Sequence, residues 1–153
     1  QALLRERVSI RDLPTILEGI GEAAPSSGTV GSLVESVRAR LGRQLCWANR
    51  GEDGALPIVS LSGEWEAAFA DALIGPGEEK QLALAPSRLQ EFIRGVRESF
   101  ERAALSGESP VLLTSPMVRP YVRSIIERSR GQTVEMSQNE IPPRARLKTV
   151  GQV

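Results

Sequence analysis

Residues 110–137 read strand, helix, strand, and that order leaves little choice of topology. PVLLT (110–114) is a short, almost continuous apolar run, and TVEMS (133–137) is a second one. Between them Ser115 and Pro116 signal a helix start. Met117, Val118, Tyr121, Val122, Ile125 and Ile126 then form a broad apolar face that predicts a helix to about Arg130. Two strands joined by one helix of this length form a parallel pair with a right-handed crossover. The pair Pro142–Pro143 forces an extended stretch, and RLKTVGQV offers a last edge strand. Residues 107–153 are therefore expected to be a small β-α-β-β subdomain, set off by the break SGESP (106–110). So few residues bury little core alone, so the module is expected to dock on the helix before it.

Residues 1–106 have a different grammar. Asp12 caps a helix with Pro14 in its first turn, striped by Leu13, Ile16, Leu17 and Ile20 and ended by Gly21 and Pro25. Leu33, Val34, Val37 and Leu41 stripe a second helix over 30–41, with Gly42 expected just past its end. QLCWA (44–48) and LPIVSL (56–61), separated by NRGEDGA, predict a β-hairpin. Pro57 places its strand at an edge, or itself at a strand end. Ser62 caps a helix carrying Trp65, Ala68, Phe69, Ala72 and Leu73, and GPG (75–77) stops it. Pro86 opens a long helix with Leu89, Phe92, Ile93, Val96, Phe100 and Ala103 on one face. The expected fold class is thus α+β: a helical subdomain with a winged-helix-like hairpin, then the β-α-β-β subdomain. No run of 18 apolar residues is present, and no signal-peptide core opens the chain. It begins without methionine, at QALLRERVSI, and is expected to be a piece of a longer protein.

The side-chain inventory narrows the chemistry. There is no histidine, which removes Ser-His-Asp triads, Cys-His dyads and His-ligated metals. The lone Cys46 forms no internal disulfide and no cysteine-built zinc site. It is expected to be a buried, inert thiol. The glycines match neither a dinucleotide fingerprint nor a phosphate loop. No cofactor or metal is expected. Glu52 with Asp53, and Glu78 with Glu79, sit in turns, where adjacent acids are ordinarily solvated and do not converge on a substrate. Nineteen basic residues balance nineteen acidic ones, which argues against bulk attraction to nucleic acid or anionic lipid. Two helices before a hairpin, with Arg38, Arg40 and Arg43 nearby, keep a winged-helix nucleic-acid-binding regulator as the alternative.

The charged faces of the two later helices raise separate questions. On the long helix, Glu91 and Glu98 alternate with Arg94, Arg97 and Arg102, which ordinarily makes a solvated surface. Arg119 and Arg123, four apart near a helix start, oppose the macrodipole and require carboxylate partners. Glu127 supplies one inside the chain; a neighbouring subunit is the other source.

VSIRDLPTILEGIGEAAP, LVESVRARLGRQL, SPVLLTSPMVRPYVRSIIERS, VEMSQNEIPP and LKTVGQV occur in this order. The chain resembles the C-terminal cytoplasmic part of the FlhA family, the large export-gate proteins of flagellar and virulence type III secretion systems. The ending LKTVGQV favours the flagellar branch. The resemblance runs from about Val8 to Val153 and is weakest over 50–85. It implies that 1–106 and 107–153 are the third and fourth of four cytoplasmic subdomains. A membrane domain would precede them and hold them at the cytoplasmic face of the bacterial inner membrane. It implies a nine-membered ring that receives export substrates and their chaperones and works with the export ATPase complex and a partner gate protein, without enzyme activity. The family's main chaperone groove lies in subdomains before Gln1, so this stretch is expected to bind chaperones weakly. Arg38, Arg94 and Glu98 are nominated as exposed charges for ring contacts, beside Arg119 and Arg123.

Overall fold

The computed structural model describes residues 1–78 and 80–153; Glu79, paired above with Glu78, lies outside the described residues. In chain order the elements are α1 (Ala2–Arg5), α2 (Leu13–Ala23), α3 (Val30–Arg40), α4 (Gly42–Asn49), β1 (Leu56–Ser60), α5 (Gly63–Asp71), β2 (Leu73–Ile74), β3 (Gln81–Leu82), α6 (Pro86–Leu105), β4 (Val111–Thr114), α7 (Arg119–Ser129), β5 (Glu135–Ser137), a single 3₁₀ turn (Gln138–Glu140) and β6 (Leu147–Gln152).

One parallel sheet organises the molecule, in the order β5-β4-β1-β6. Its strands alternate between two cores. Val59, Leu61 and Leu112 face a cluster with Trp65, Phe69, Phe92, Val96, Phe100, Val122 and Ile126 from α5, α6 and α7. Leu56, Ile58 and Val111 face the other way, onto Ile16, Val37 and Leu45 from α2, α3 and α4 and onto Leu41 at the α3–α4 junction. Helices on both faces explain why these strands read as continuous apolar runs. Within the first core, Phe92 meets Phe69 and Trp65 edge to face at centroid distances of 4.9 and 5.1 Å.

The local signals mostly hold. The Asp12 carboxylate accepts from the Thr15 N–H at 3.3 Å, and Ser62 Oγ accepts from the Trp65 N–H at 3.3 Å. α6 ends in a Schellman arrangement: Glu108 N–H donates to Ala103 O, Gly107 N–H to Ala104 O, and Gly107 takes φ 77°. The later module does dock on α6, whose Ser99 Oγ donates to Gln152 O at 3.1 Å.

Two expectations are corrected. The hairpin over 44–61 does not exist: residues 44–48 lie within helix α4, and LPIVS is a central strand. Val37, Leu41 and Leu45 are all buried and four apart, so the stripe of α3 carries on into α4. The antiparallel hairpin of the described structure is β2–β3, between α5 and α6. Gly42 does lie just past the end of α3, whose C-cap is Leu41, but it also opens α4, and a Cβ there would lie 2.3 Å from the Glu140 carbonyl oxygen. α7 starts at Arg119, three residues later than Pro116, with Pro120 in its first turn.

Pro57 occupies a strand end in a physically exact sense. Leu56 N–H donates to Arg146 O on the β6 side, so the Pro57 nitrogen points toward β4, whose pairing begins only at Ile58.

Because β1 lies between β4 and β6, the sheet joins the stretches before and after SGESP. A hinge at that break is excluded as a simple swing: moving 107–153 away would tear β1 from both neighbours.

Candidate functional site

Of the charged residues nominated from the sequence, three meet at the β5 edge of the sheet. Arg38 from α3 and Arg119 and Arg123 from α7 face Glu6, Glu35, Glu135 and Glu140. Arg119 grips the Glu35 carboxylate with two donors, Nε at 2.8 Å and Nη2. Its Nη1 lies 3.0 Å from Glu6 Oε2. Arg38 Nη1 donates to the same Glu6 oxygen at 2.9 Å, and Arg38 Nε lies 2.7 Å from Glu140 Oε2. Arg123 Nη1 donates to Glu135 Oε2 at 3.1 Å, and its Nε sits 3.5 Å from Glu127 Oε2.

Backbone geometry explains the location. β5 is an edge strand, and Val134 O accepts from Leu112 N–H on β4, so the next carbonyl, Glu135 O, points away from the sheet. Arg38 Nη2 and Arg119 Nη1 donate to it at 3.0 and 3.4 Å. Two guanidinium groups thus satisfy the open edge. Arg123 Nη2 donates to Arg5 O at 3.2 Å, so the cluster also fastens the first residues of the chain to α3, α7 and β5.

The electrostatics follow from burial. Five carboxylates, counting the half-exposed Glu127, face three guanidinium groups. Burial pushes Glu135 above the ordinary glutamate value, and Arg123 and Arg119 offset this only in part. Its Oε1 is buried without a partner. For Arg119, burial pulls the pKa down, but the bonds and charges of Glu35 and Glu6 more than compensate, and the net direction is up. Each of these carboxylates is matched to at least one guanidinium, so the cluster is a clamp and offers no free base.

Arg38 was nominated as an exposed charge and is corrected: it is 2% exposed, and Arg119 is 1% exposed. A basic recognition face on α3 is therefore lost, and with the hairpin gone the winged-helix regulator has no geometric support. Arg94 and Glu98 are exposed on α6, one turn apart, beside a shallow groove of about 310 Å³ with Trp65 and Val153. Neither is in an ion pair among the described residues.

The other candidates are dispersed. Glu78 accepts from Gly28 N–H at 2.9 Å, and Asp53 accepts from Ala55 N–H at 3.1 Å. Cys46 is half-buried on α4 beside Glu140; burial and then the charge of Glu140 push its thiol pKa up.

Sequence reasoning missed Glu6, Glu35, Glu135 and Glu140. For Glu140 a signal was present: Ser137-Gln-Asn-Glu140 is a capping box, and Ser137 N–H donates to Glu140 Oε1 at 2.7 Å. For Glu135 the signal was a lone carboxylate inside an apolar strand.

The model of the FHIPEP family matches residues 1–146. The chain belongs to this family. It is 80% identical over 153 residues to the flagellar biosynthesis protein FlhA of Caulobacter vibrioides, covering 100% of this chain and 22% of that protein. To FlhA of Helicobacter pylori it is 35% identical over 155 residues, covering 100% of this chain and 21% of that protein. The chain thus spans about a fifth of the length of these curated relatives. Among solved structures, CdsV of Chlamydia pneumoniae superposes with a TM-score of 0.90 at 30% identity, over 99% of this chain and 43% of that one. The nonameric SctV-C of EPEC superposes with a TM-score of 0.87 at 26% identity, over 99% and 45%. CdsV also appears in a complex with CdsO, with a TM-score of 0.88 at 30% identity over 99% and 44%. The expected family and the α+β class are both borne out.

Proposed function

We propose that this chain is cytoplasmic-domain material of a flagellar protein-export gate, part of a ring-forming platform at the inner membrane that receives export substrates and their chaperones and engages the export ATPase complex. The observation that carries this reading is the match to FHIPEP proteins along nearly the whole chain, with flagellar FlhA at 80% identity. The nonameric SctV-C supports a ring, and the CdsV–CdsO complex supports binding of a separate partner protein. Residues 1–106 and 107–153 are read as the family's third and fourth subdomains, joined through β1. The chain acts by binding and not by catalysis. Its rigid clamp fixes how the preceding chain meets the sheet, and Arg94 and Glu98 offer charges to a neighbouring subunit. No helix among the described residues is long and apolar enough to cross a membrane, so the reading assigns membrane attachment to other parts of the full protein.

The test is a chimera. The matching segment of Caulobacter vibrioides FlhA is replaced by this chain in a strain lacking its own copy. Flagellin reaching the medium and restored swimming are the expected results. A chimera present at normal abundance that exports nothing contradicts the reading.

A further inference from the structure

Where α4 ends, residues 142–146 run opposite it toward β6, and an open groove of about 620 Å³ separates the two. Arg43, Arg50, Arg144 and Arg146 line it together with Trp47 and Pro143. All four guanidinium-bearing residues are exposed. Among the described residues none of the four is in an ion pair with a carboxylate. Two of them instead have neutral partners: Arg50 lies over the Trp47 ring, 3.2 Å from its centroid, and Arg146 Nη2 donates to the Asp53 carbonyl oxygen at 2.9 Å. Trp47 itself is 67% exposed. A second groove, about 680 Å³, shares Arg43, Trp47 and Pro143, so the surface continues past the indole.

This concentration of positive charge is local, because the chain as a whole is neutral. The other well-placed arginines, such as Arg38, Arg40, Arg119 and Arg123, are matched to glutamates. Guanidinium forks match carboxylates in pairs of parallel bonds, and an indole beside a proline ring takes an apolar side chain. We infer that this groove docks an acidic segment of a partner protein, its carboxylates on Arg43, Arg50, Arg144 and Arg146 and an apolar side chain against Trp47. Glu52 and Asp53 in the adjacent turn disfavour a continuous phosphate backbone, and a concave groove does not present its charges to a flat bilayer. The inference rests on the groove's own chemistry and does not require the export-gate reading.

The test uses the chain and a fluorescein-labelled synthetic peptide alternating Glu and Leu, followed by anisotropy. Saturable binding is expected, weakening as salt is added. Arg50→Glu with Arg144→Glu is expected to weaken it about tenfold, a modest change in binding free energy. Trp47→Ala also weakens binding, with an effect coupled to that of Arg50, which stacks on the indole, and Arg97→Glu on the opposite face of the sheet leaves binding unchanged. The substituted side chains are exposed, so circular dichroism is expected to match the parent. A Lys and Leu peptide that binds the Arg50→Glu, Arg144→Glu variant better than the parent supports the inference. Absence of saturable peptide binding overturns it. So does binding that survives the double reversal, or tighter capture of a single-stranded RNA oligonucleotide or of phosphatidylglycerol vesicles than of the acidic peptide.

Discussion

Arg119 shows how much the setting of a charge matters. It is 1% exposed and grips Glu35 and Glu6, whereas Arg40 and Glu22 form an ion pair at the surface. Removing one partner of a buried pair strands the others and costs about 3–5 kcal/mol, whereas an exposed pair is worth about 0–1 kcal/mol. Urea unfolding of Arg119→Ala is therefore expected to show a loss several times that of Arg40→Ala; equal losses contradict the clamp. Glu135 makes a second prediction. Its folded pKa is raised above the ordinary 4.5, so between 4.5 and the folded value the native state holds a proton that the unfolded chain has released. Stability contributed by this group is full below 4.5 and is lost as pH rises through that window. Glu135→Gln cannot titrate, so the stability of the parent minus that of the variant is expected to fall as pH rises above 4.5. A difference that rises or stays flat removes the burial argument.

At the scale of elements, α4 is the instructive case. Five residues, QLCWA, are too few to separate the helical period from the strand period. What settles the matter is non-local: Leu45 packs in the core with Val37 and Leu41, and Gly42 meets the Glu140 backbone. Gly42→Ala places a Cβ 2.3 Å from the backbone carbonyl oxygen of Glu140, a residue whose carboxylate is held by the Ser137 N–H and by Arg38. It is expected to destabilise the chain by about 1–3 kcal/mol, read as a lower urea midpoint. An unchanged midpoint contradicts that close approach. Elements with local start signals, such as α2 at Asp12 and α6 at Pro86, were legible because the deciding contacts lie within one turn. The Arg–Glu clamp was only half legible. The sequence showed that Arg119 and Arg123 require acids, but Glu6 lies 113 residues from Arg119 and spacing carries no trace of that meeting.

At the scale of the molecule, the strand–helix–strand order of 110–137 did foretell the parallel pair β4–β5. It did not foretell that β1, from before the SGESP break, is inserted beside β4, because strand order depends on which face each helix covers. The insertion makes the chain one body with helices on both faces of one sheet, suited to presenting fixed surfaces. On the proposed reading, ring assembly depends on exposed charges such as Arg94 and not on the buried arginines. The most direct measurement is native mass spectrometry of the complete cytoplasmic domain that carries this chain, parent beside Arg94→Glu. The account predicts a ring for the parent and markedly reduced assembly for the variant; a parent that stays monomeric, or a variant that assembles as fully as the parent, contradicts it.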